Sequence, residues 1–378
     1  MNIFYITSSR LLDFSLEQIS LVSEKYCLDV VIVLIEGETD QTVFATKKII
    51  KSGIYKWSDI RDKVNDTCVF DAYFEYCRSV NFLVFKKNYG INTVLLNFKL
   101  LCLMLKGGYS FIHFDDISPR IFSALFAYSK TIILNLHDPV PHTGEFKKSD
   151  KFFRQLFFFK VHKFCLYSNY SAELFRAKFN NFKDRIVVLN LPIYFSYRRI
   201  SLSQCSQLKS CLTGDKLILF FGRISEYKGL PFLVDSFKQF TCRADNLHLV
   251  IAGSGKVDDR LSKLINANDH ITFINRFISS SELVFLLRNC DLVVCPYTDA
   301  TQSGVIMTAM ALNRPVVASN VGSFEEYIIE GQNGQLYMQG DFKDFSRAIF
   351  LGLNTLYEVS GATTSNKHLT ASYLSVYD

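Results

Sequence analysis

The chain has 378 residues, 49% hydrophobic and 21% charged, with a formal net charge of +6. That length favours two domains or one large one, and the apolar share rules out a disordered polymer. The modest positive charge suits an anionic ligand or an anionic membrane surface and gives no support to a nucleic-acid partner.

The N-terminal MNIFYITSSR has no basic leader and no small-residue cleavage site, so it reads as a first strand and cytoplasmic residence is expected. Asn2 to Thr7 is a strand, Ser15 to Lys25 a helix, Asp29 to Ile35 a continuous apolar strand, and Thr42 to Lys51 a further helix. Residues 52 to 90 show no clean period and their topology stays open. Ile91 to Leu105 is a helix, too short for a span and interrupted by Lys99, so no transmembrane helix is expected. Tyr109 to Phe114, Thr131 to Leu136, Lys163 to Tyr167 and Arg185 to Leu189 are strands. The helices Pro119 to Tyr128 and Ser171 to Phe179 alternate with them. Strands apolar throughout, set between helices, indicate a parallel sheet covered on both faces.

Periodicity then stops, and residues 196 to 215 read as a linker. A second alternation follows: strands at Lys216 to Phe221, Leu247 to Ala252, Ile271 to Ile274, Asp291 to Cys295 and Pro315 to Ser319, with helices at Leu230 to Thr241, Lys256 to Ile265, Ser280 to Arg288 and Val305 to Leu312. The domains are therefore 1–195 and 216–355, two Rossmann-like doubly wound α/β units, with a tail, 356–378, whose apolar patch Tyr373 to Tyr377 is placed to pack back on the first. Ten cysteines are scattered without a C-x-x-C pair, several of them inside apolar runs, and are expected as reduced core residues.

Chemistry concentrates where strands of the second series end. After Phe221, Gly222 and Gly229 bracket Arg223 and Lys228, a glycine turn beside two cations that fits a diphosphate. Gly253 and Gly255 follow the next strand, without the residues of a Walker loop. Thr301, Gln302, Ser303 and Gly304 precede the helix that begins near Val305, supplying hydroxyls, an amide and free backbone N–H groups, although N-capping alone also accounts for serine and threonine there. In the first domain, Thr131 to Leu136 delivers His137 and Asp138, followed by His142 and Glu145. Residues 147–163 (KKSDKFFRQLFFFKVHK) combine six basic residues with a phenylalanine cluster. This describes either an interfacial helix on anionic lipid, with Lys147, Lys148, Lys151 and Arg154 in contact, or a core helix with a basic outer side. Asp115 and Asp116 lack the third ligand of a metal site, and none is assigned.

Taken in register, Gly222-Arg223 with Lys228-Gly229, Gly253-Ser254-Gly255, Pro296-Tyr297, Ala309-Met310-Ala311, Arg314 to Ser319, Val321-Gly322 with Glu326, and Gly331 to Gly334 resemble the C-terminal domain of family 4 glycosyltransferases. The resemblance implies a GT-B architecture, two Rossmann-like domains facing across a cleft, with the nucleotide sugar in the second and the acceptor in the first. It implies that Arg223 and Lys228 bind the donor diphosphate, that Glu326 lies in the donor site, and that His137 acts below the donor sugar. Asp138, His142 and Glu145 then stand on the acceptor side.

Gly222, Gly253, Gly255, Thr301 to Val305 and Thr308 complete the donor site. The family commonly carries two glutamates eight positions apart, and here those positions are Ala300 and Thr308. The implied reaction is retaining, metal-independent and cofactor-free transfer from a UDP- or GDP-sugar to a hydroxyl of a lipid-linked glycan in surface polysaccharide synthesis. Such an enzyme would be peripheral on the inner face of the plasma membrane. The missing glutamates motivate an alternative, a non-catalytic GT-B subunit that binds glycan or nucleotide sugar in support of a partner enzyme. A GT-B epimerase is a more distant alternative.

Overall fold

The computed structural model describes the chain except residues 39, 42, 127–129, 141–147, 203–207, 209–215, 242–246 and 358–364, and the side chains of 40, 41, 125, 148–152 and 241. It forms two compact units, Met1–Pro192 with Asn366–Asp378, and Ile193–Ser365.

The first unit opens with β1 (Asn2–Ser8), α1 (Leu12–Ser23) and β2 (Cys27–Ile35), then a two-stranded ribbon of β3 (Asp40–Gln41) and β4 (Phe44–Ala45). It continues through β5 (Gly53–Lys56), α2 (Trp57–Ile60), α3 (Thr67–Phe74), β6 (Ser79–Phe85), α4 (Ile91–Lys106), β7 (Phe111–Phe114) and β8 (Thr131–Asn135). Then come α5 (Lys148–Phe158), β9 (Lys163–Leu166), α6 (Asn169–Lys178) and β10 (Ile186–Val188). The sheet order is β10-β9-β8-β7-β1-β2-β6-β5, parallel apart from the antiparallel edge strand β5. Strand order reverses between β1 and β7, so their carboxyl ends form the topological switch point where open α/β sheets bind ligands. The central strands are buried along nearly their whole length because helices cover both faces.

Two expectations fail here. Thr42 to Lys51 is not a helix: Val43, Phe44, Ala45 and Ile50 are buried, but they cluster at the two ends of the stretch and make no helical stripe, and Thr46 bridges Val64 instead. The region Pro119–Phe126 is 3-10 in character, broken at Ile121. The unassigned stretch 52–90 supplies β5, α2, α3 and β6, and its single tryptophan, Trp57, donates to Asp71 and packs on Phe70, Phe74 and Phe82.

The second unit contains β11 (Lys216–Phe221), α7 (Leu230–Thr241), β12 (Leu247–Ala252), α8 (Asp259–Asn266), β13 (Ile271–Ile274), α9 (Ser280–Asn289) and β14 (Leu292–Cys295). It ends with α10 (Gly304–Ala311), β15 (Val316–Ser319), α11 (Phe324–Tyr327), β16 (Gly334–Tyr337) and α12 (Phe342–Asn354). Its all-parallel order, β13-β12-β11-β14-β15-β16, is the dinucleotide-fold pattern 3-2-1-4-5-6, with the switch point between β11 and β14. Residues 196–199, expected as the start of a linker, instead pack within this unit. Ser196 and Tyr197 are buried, and Arg198 donates to the Ala311 carbonyl and to Asn313 Oδ1 at the carboxyl end of α10. Among the described cysteines, Cys165, Cys290 and Cys295 are buried as expected, whereas Cys27 and Cys68 are exposed.

The C-terminal helix α13 (Thr370–Ser375) belongs to the first unit. Tyr373 donates to the Asn190 carbonyl at 2.9 Å, and Tyr377 reaches a fully buried polar network centred on Asp115. Asp115 accepts from Tyr5 at 2.6 Å, from Ser15 and from Asn135 Nδ2, which also donates to Gln18 at 2.6 Å. Asn135 Oδ1 is thus the acceptor facing His113 Nε2 at 2.7 Å, so His113 carries its proton on Nε2 and accepts from the Tyr377 hydroxyl at Nδ1, 2.5 Å away. Burial pushes the His113 imidazole down to about 4, and the ring is neutral in the fold.

Between pH 6.5 and about 4 the unfolded chain therefore binds the proton that folded His113 refuses, and the stability from this group is complete above 6.5 and lost as pH falls through 4. His113→Asn is expected to destabilise at pH 7. In urea titrations the gap to the wild type should narrow by about 1.4 kcal/mol per pH unit across that interval, and a gap independent of pH would contradict the assignment.

Candidate functional site

In the second unit, three loops meet at the carboxyl ends of β11 and β14. The β11 loop turns at Gly222 (φ +107°), and Lys228 closes the turn with its side chain folded back over Gly222. A β-carbon on Gly222 would stand 3.0 Å from Lys228 Nζ and 3.5 Å from Val305 Cγ2, so the lysine and the start of α10 flank one small space. Lys228 is buried, its ammonium 5.1 Å from the centre of the Tyr297 ring, whose electron-rich face partly replaces water. Burial pushes the neighbouring Cys295 thiol up to about 12, against the pull of the Lys228 charge.

Two glycines make this convergence possible. Gly229 has φ +68°, and a β-carbon there would lie 1.7 Å from the Pro296 carbonyl oxygen, so only glycine lets the β11 loop rest on the β14 loop. The contact is reinforced by the Thr298 N–H donating to the Tyr227 carbonyl at 2.7 Å. Gly322 has φ +57°, and its β-carbon would lie 1.8 Å from the Ala300 carbonyl, which also accepts from the Ser323 N–H. Gly253 backs in the same way on the Gly222 carbonyl, and Gly255 pairs with Ile224.

The helix α10 begins in this space. Ser303 caps it, accepting from the Ile306 N–H, and leaves the remaining first-turn N–H groups and the positive end of the helix dipole toward Gly222 and Lys228. Tyr194 lies over Gly304, where a β-carbon would come within 3.1 Å of its ring, and Arg198 ties down the other end of the helix. Thr301, Ser303 and Thr308 are buried and Gln302 and Val305 half-buried. The Thr308 hydroxyl donates back to the Gly304 carbonyl at 2.8 Å, which leaves its lone pairs for a ligand donor. Arg223 and Glu326 are exposed, the latter on the short helix α11. The structure therefore gathers Gly222, Lys228, Ser303, Gly304 and Val305 tightly.

In the first unit, His137 follows β8, stacked on Tyr167 at 5.4 Å and edge-on to Phe14 at 4.7 Å. Asp138 offers its carbonyl to Arg154 of α5, and Arg154 and His137 also interact electrostatically with Asp116, which follows β7. This corrects the expectation for Arg154: its guanidinium packs over Phe158 and holds the His137-Asp138 segment, and so does not present itself to lipid. The phenylalanine cluster goes the same way, since Phe153, Phe157 and Phe158 are buried in the core while Leu156 and Phe159 stay exposed. His142, Glu145 and Lys147 lie outside the described residues, as do the side chains of Lys148 and Lys151. Sequence reasoning missed Asp13, on the first turn of α1 beside the switch point, whose carboxyl burial raises to about 7. It also missed Tyr194, Arg198 and the positioning role of Arg154. The first two lie in a stretch without period, and nothing in the sequence marks Arg154 among five other basic residues.

The family described as glycosyl transferases group 1 matches residues 215–354. An uncharacterised glycosyltransferase of Methanocaldococcus jannaschii is 35% identical over 123 residues, covering 32% of this chain and 31% of that protein. The phosphatidyl-myo-inositol mannosyltransferase of Mycobacterium leprae is 29% identical over 143 residues, covering 37% of this chain and 38% of the relative. The chain thus aligns with about a third of the length of such curated relatives. Solved structures cover it throughout: Anabaena HepE in complex with UDP superposes with a TM-score of 0.61 at 15% identity, over 100% of this chain and 94% of that one. The catalytic domain of Arabidopsis thaliana starch synthase IV bound to ADP and acarbose gives 0.63 at 11% identity, over 100% and 95%. Residues 215–354 thus match the group 1 glycosyl transferase family, and the two parallel-sheet units have the fold of GT-B enzymes.

Proposed function

We propose that the chain is a retaining, metal-independent glycosyltransferase that moves a sugar from a nucleotide-sugar donor, held by the second unit, to a hydroxyl of a lipid-linked glycan acceptor received by the first. The observation that carries this reading is the buried Lys228 ammonium set against Gly222 and the amino end of α10 at the β11/β14 switch point. A diphosphate leaving group develops negative charge as the sugar departs. A desolvated cation and a helix N-terminus fixed in advance stabilise that charge without reorganising.

In the reaction, the bond from the anomeric carbon to the diphosphate oxygen breaks and the bond to the acceptor oxygen forms on the same face. The acceptor proton passes to the departing phosphate oxygen. Arg223, exposed at the turn, supplies a second cation once the donor is bound, and Glu326 and the Thr301 to Ser303 segment border the sugar. On the acceptor side, His137, Asp138 and Asp13 line the carboxyl edge of the first sheet, with Arg154 holding the His137-Asp138 backbone. No cofactor takes part in this scheme beyond the UDP- or GDP-sugar co-substrate, and surface polysaccharide synthesis is the context it fits.

One observation favours the alternative of a non-catalytic subunit: both positions at which the family resemblance implies glutamates are buried, Ala300 with its carbonyl taken by the Gly322 turn and Thr308 with its proton given to Gly304. Tight nucleotide-sugar binding with neither transfer nor slow hydrolysis on any UDP- or GDP-sugar, tested against membrane extracts, would favour it.

Lys228→Met keeps the buried stem and removes the charge. It is expected to lower kcat/KM for transfer by about 10²–10³-fold, and Arg223→Ala by less. Unchanged transfer by both variants would contradict the assignment, as would a product whose anomeric configuration, read by NMR, is inverted. Gly229→Ala is expected to destabilise the second unit by about 2 kcal/mol or more and to weaken donor binding, measured by thermal unfolding and calorimetry, because its β-carbon displaces the Pro296 carbonyl that seats the Lys228 turn.

A further inference from the structure

We propose that the outward face of α4 docks the chain on an anionic phospholipid bilayer. The helix buries Thr93, Leu96, Asn97, Leu100 and Met104 against the first sheet. A second apolar stripe faces outward: Ile91, Val94, Leu95, Phe98 and Leu105 recur at helical spacing, with Ile91 81% and Phe98 66% exposed. Helices on the surface of a globular domain ordinarily turn polar residues outward, and a contiguous exposed apolar stripe marks an interaction surface.

The charge around the stripe selects the partner. Residues 76–114 contain five lysines and arginines and no aspartate or glutamate. Lys86 and Lys87 stand exposed just before the helix, and Lys99 and Lys106 are exposed on it. Arg120 donates to the Lys86 and Lys87 carbonyls at 2.5 and 2.9 Å and lies over the Tyr89 ring, fixing that loop beside the helix. An apolar face with exposed lysines on and just before its helix matches acyl chains beneath anionic headgroups. At 16 residues the helix is about 24 Å long, and no helix among the described residues is long and apolar enough to cross a membrane, so α4 lies in the plane of the interface. The surface is separate from α5, whose Phe153, Phe157 and Phe158 point into the core. The proposal does not rest on the transfer reaction, although docking of this kind would bring the first unit to a lipid-linked acceptor.

The test is flotation of the full chain with vesicles of phosphatidylcholine alone and of phosphatidylcholine mixed with phosphatidylglycerol, at low and high salt. The wild type is expected to float with the mixed vesicles, less so at high salt. Leu95→Gln with Phe98→Gln should weaken binding about ten-fold, and neutralising Lys86, Lys87, Lys99 and Lys106 to Gln should weaken it by a similar factor. Changing Lys148 and Lys151 to Gln should leave it intact.

Because the altered side chains are exposed, thermal melts should match the wild type. A Phe98→Trp variant gives a second readout: its emission should shift to the blue on adding mixed vesicles, over the constant background of Trp57. Failure of the wild type to float would overturn the proposal. So would binding that survives the α4 changes or is lost only with Lys148 and Lys151, or a wild-type dimer, measured by sedimentation, that Leu95→Gln with Phe98→Gln makes monomeric while vesicles are ignored.

Discussion

The second unit depends on backbone meeting backbone at the carboxyl edge of its sheet. Gly229 against the Pro296 carbonyl and Gly322 against the Ala300 carbonyl leave no volume for a methyl group, and both glycines adopt left-handed conformations. These contacts stack three consecutive loops into one wall and place the Lys228 ammonium and the Ser303-capped start of α10 on the same small space. A buried lysine is costly to desolvate. Here the Tyr297 ring offsets part of that cost.

The first unit uses a different device. Its core holds the carboxyl group of Asp115, which accepts hydrogen bonds from Tyr5, Ser15 and Asn135. The chain His113, Asn135 and Tyr377 extends this network to the last residues of the protein, so the C-terminal segment becomes part of the first unit's core. Asp115 and Asn135 lie one and two residues before Asp116 and His137, so the network that seats the tail stands at the strand ends carrying those residues.

Much of the fold was legible because parallel strands buried on both faces are apolar throughout, as in residues 30–35, 217–221 and 292–295. The residues at the β11/β14 switch point were legible for a related reason: glycines required by close approach, and a serine required as a cap, sit at strand ends and leave a pattern. What escaped was set by tertiary contacts. The edge strand β5 is only half-buried and carries no apolar run, and the ribbon at β4 replaces a helix because residues 43–50 bury only their ends. Arg154 and the lysines near it look alike in sequence, but only packing against Phe158 and the Asp138 carbonyl turns the arginine inward. In α4, apolar residues cover both faces, so its sequence reads as a core helix, and only the fold reveals which stripe is left outside.

The central claim, that the second unit receives the diphosphate of a nucleotide sugar at the β11/β14 switch point, is tested most directly by amide hydrogen exchange of the whole chain with and without saturating UDP and GDP. With the cognate nucleotide, protection should rise in peptides spanning 222–229 and 300–306, while α4 and the Asp115 network stay unchanged. Absence of protection in those two segments with either nucleotide, or protection confined to the first unit, would contradict it.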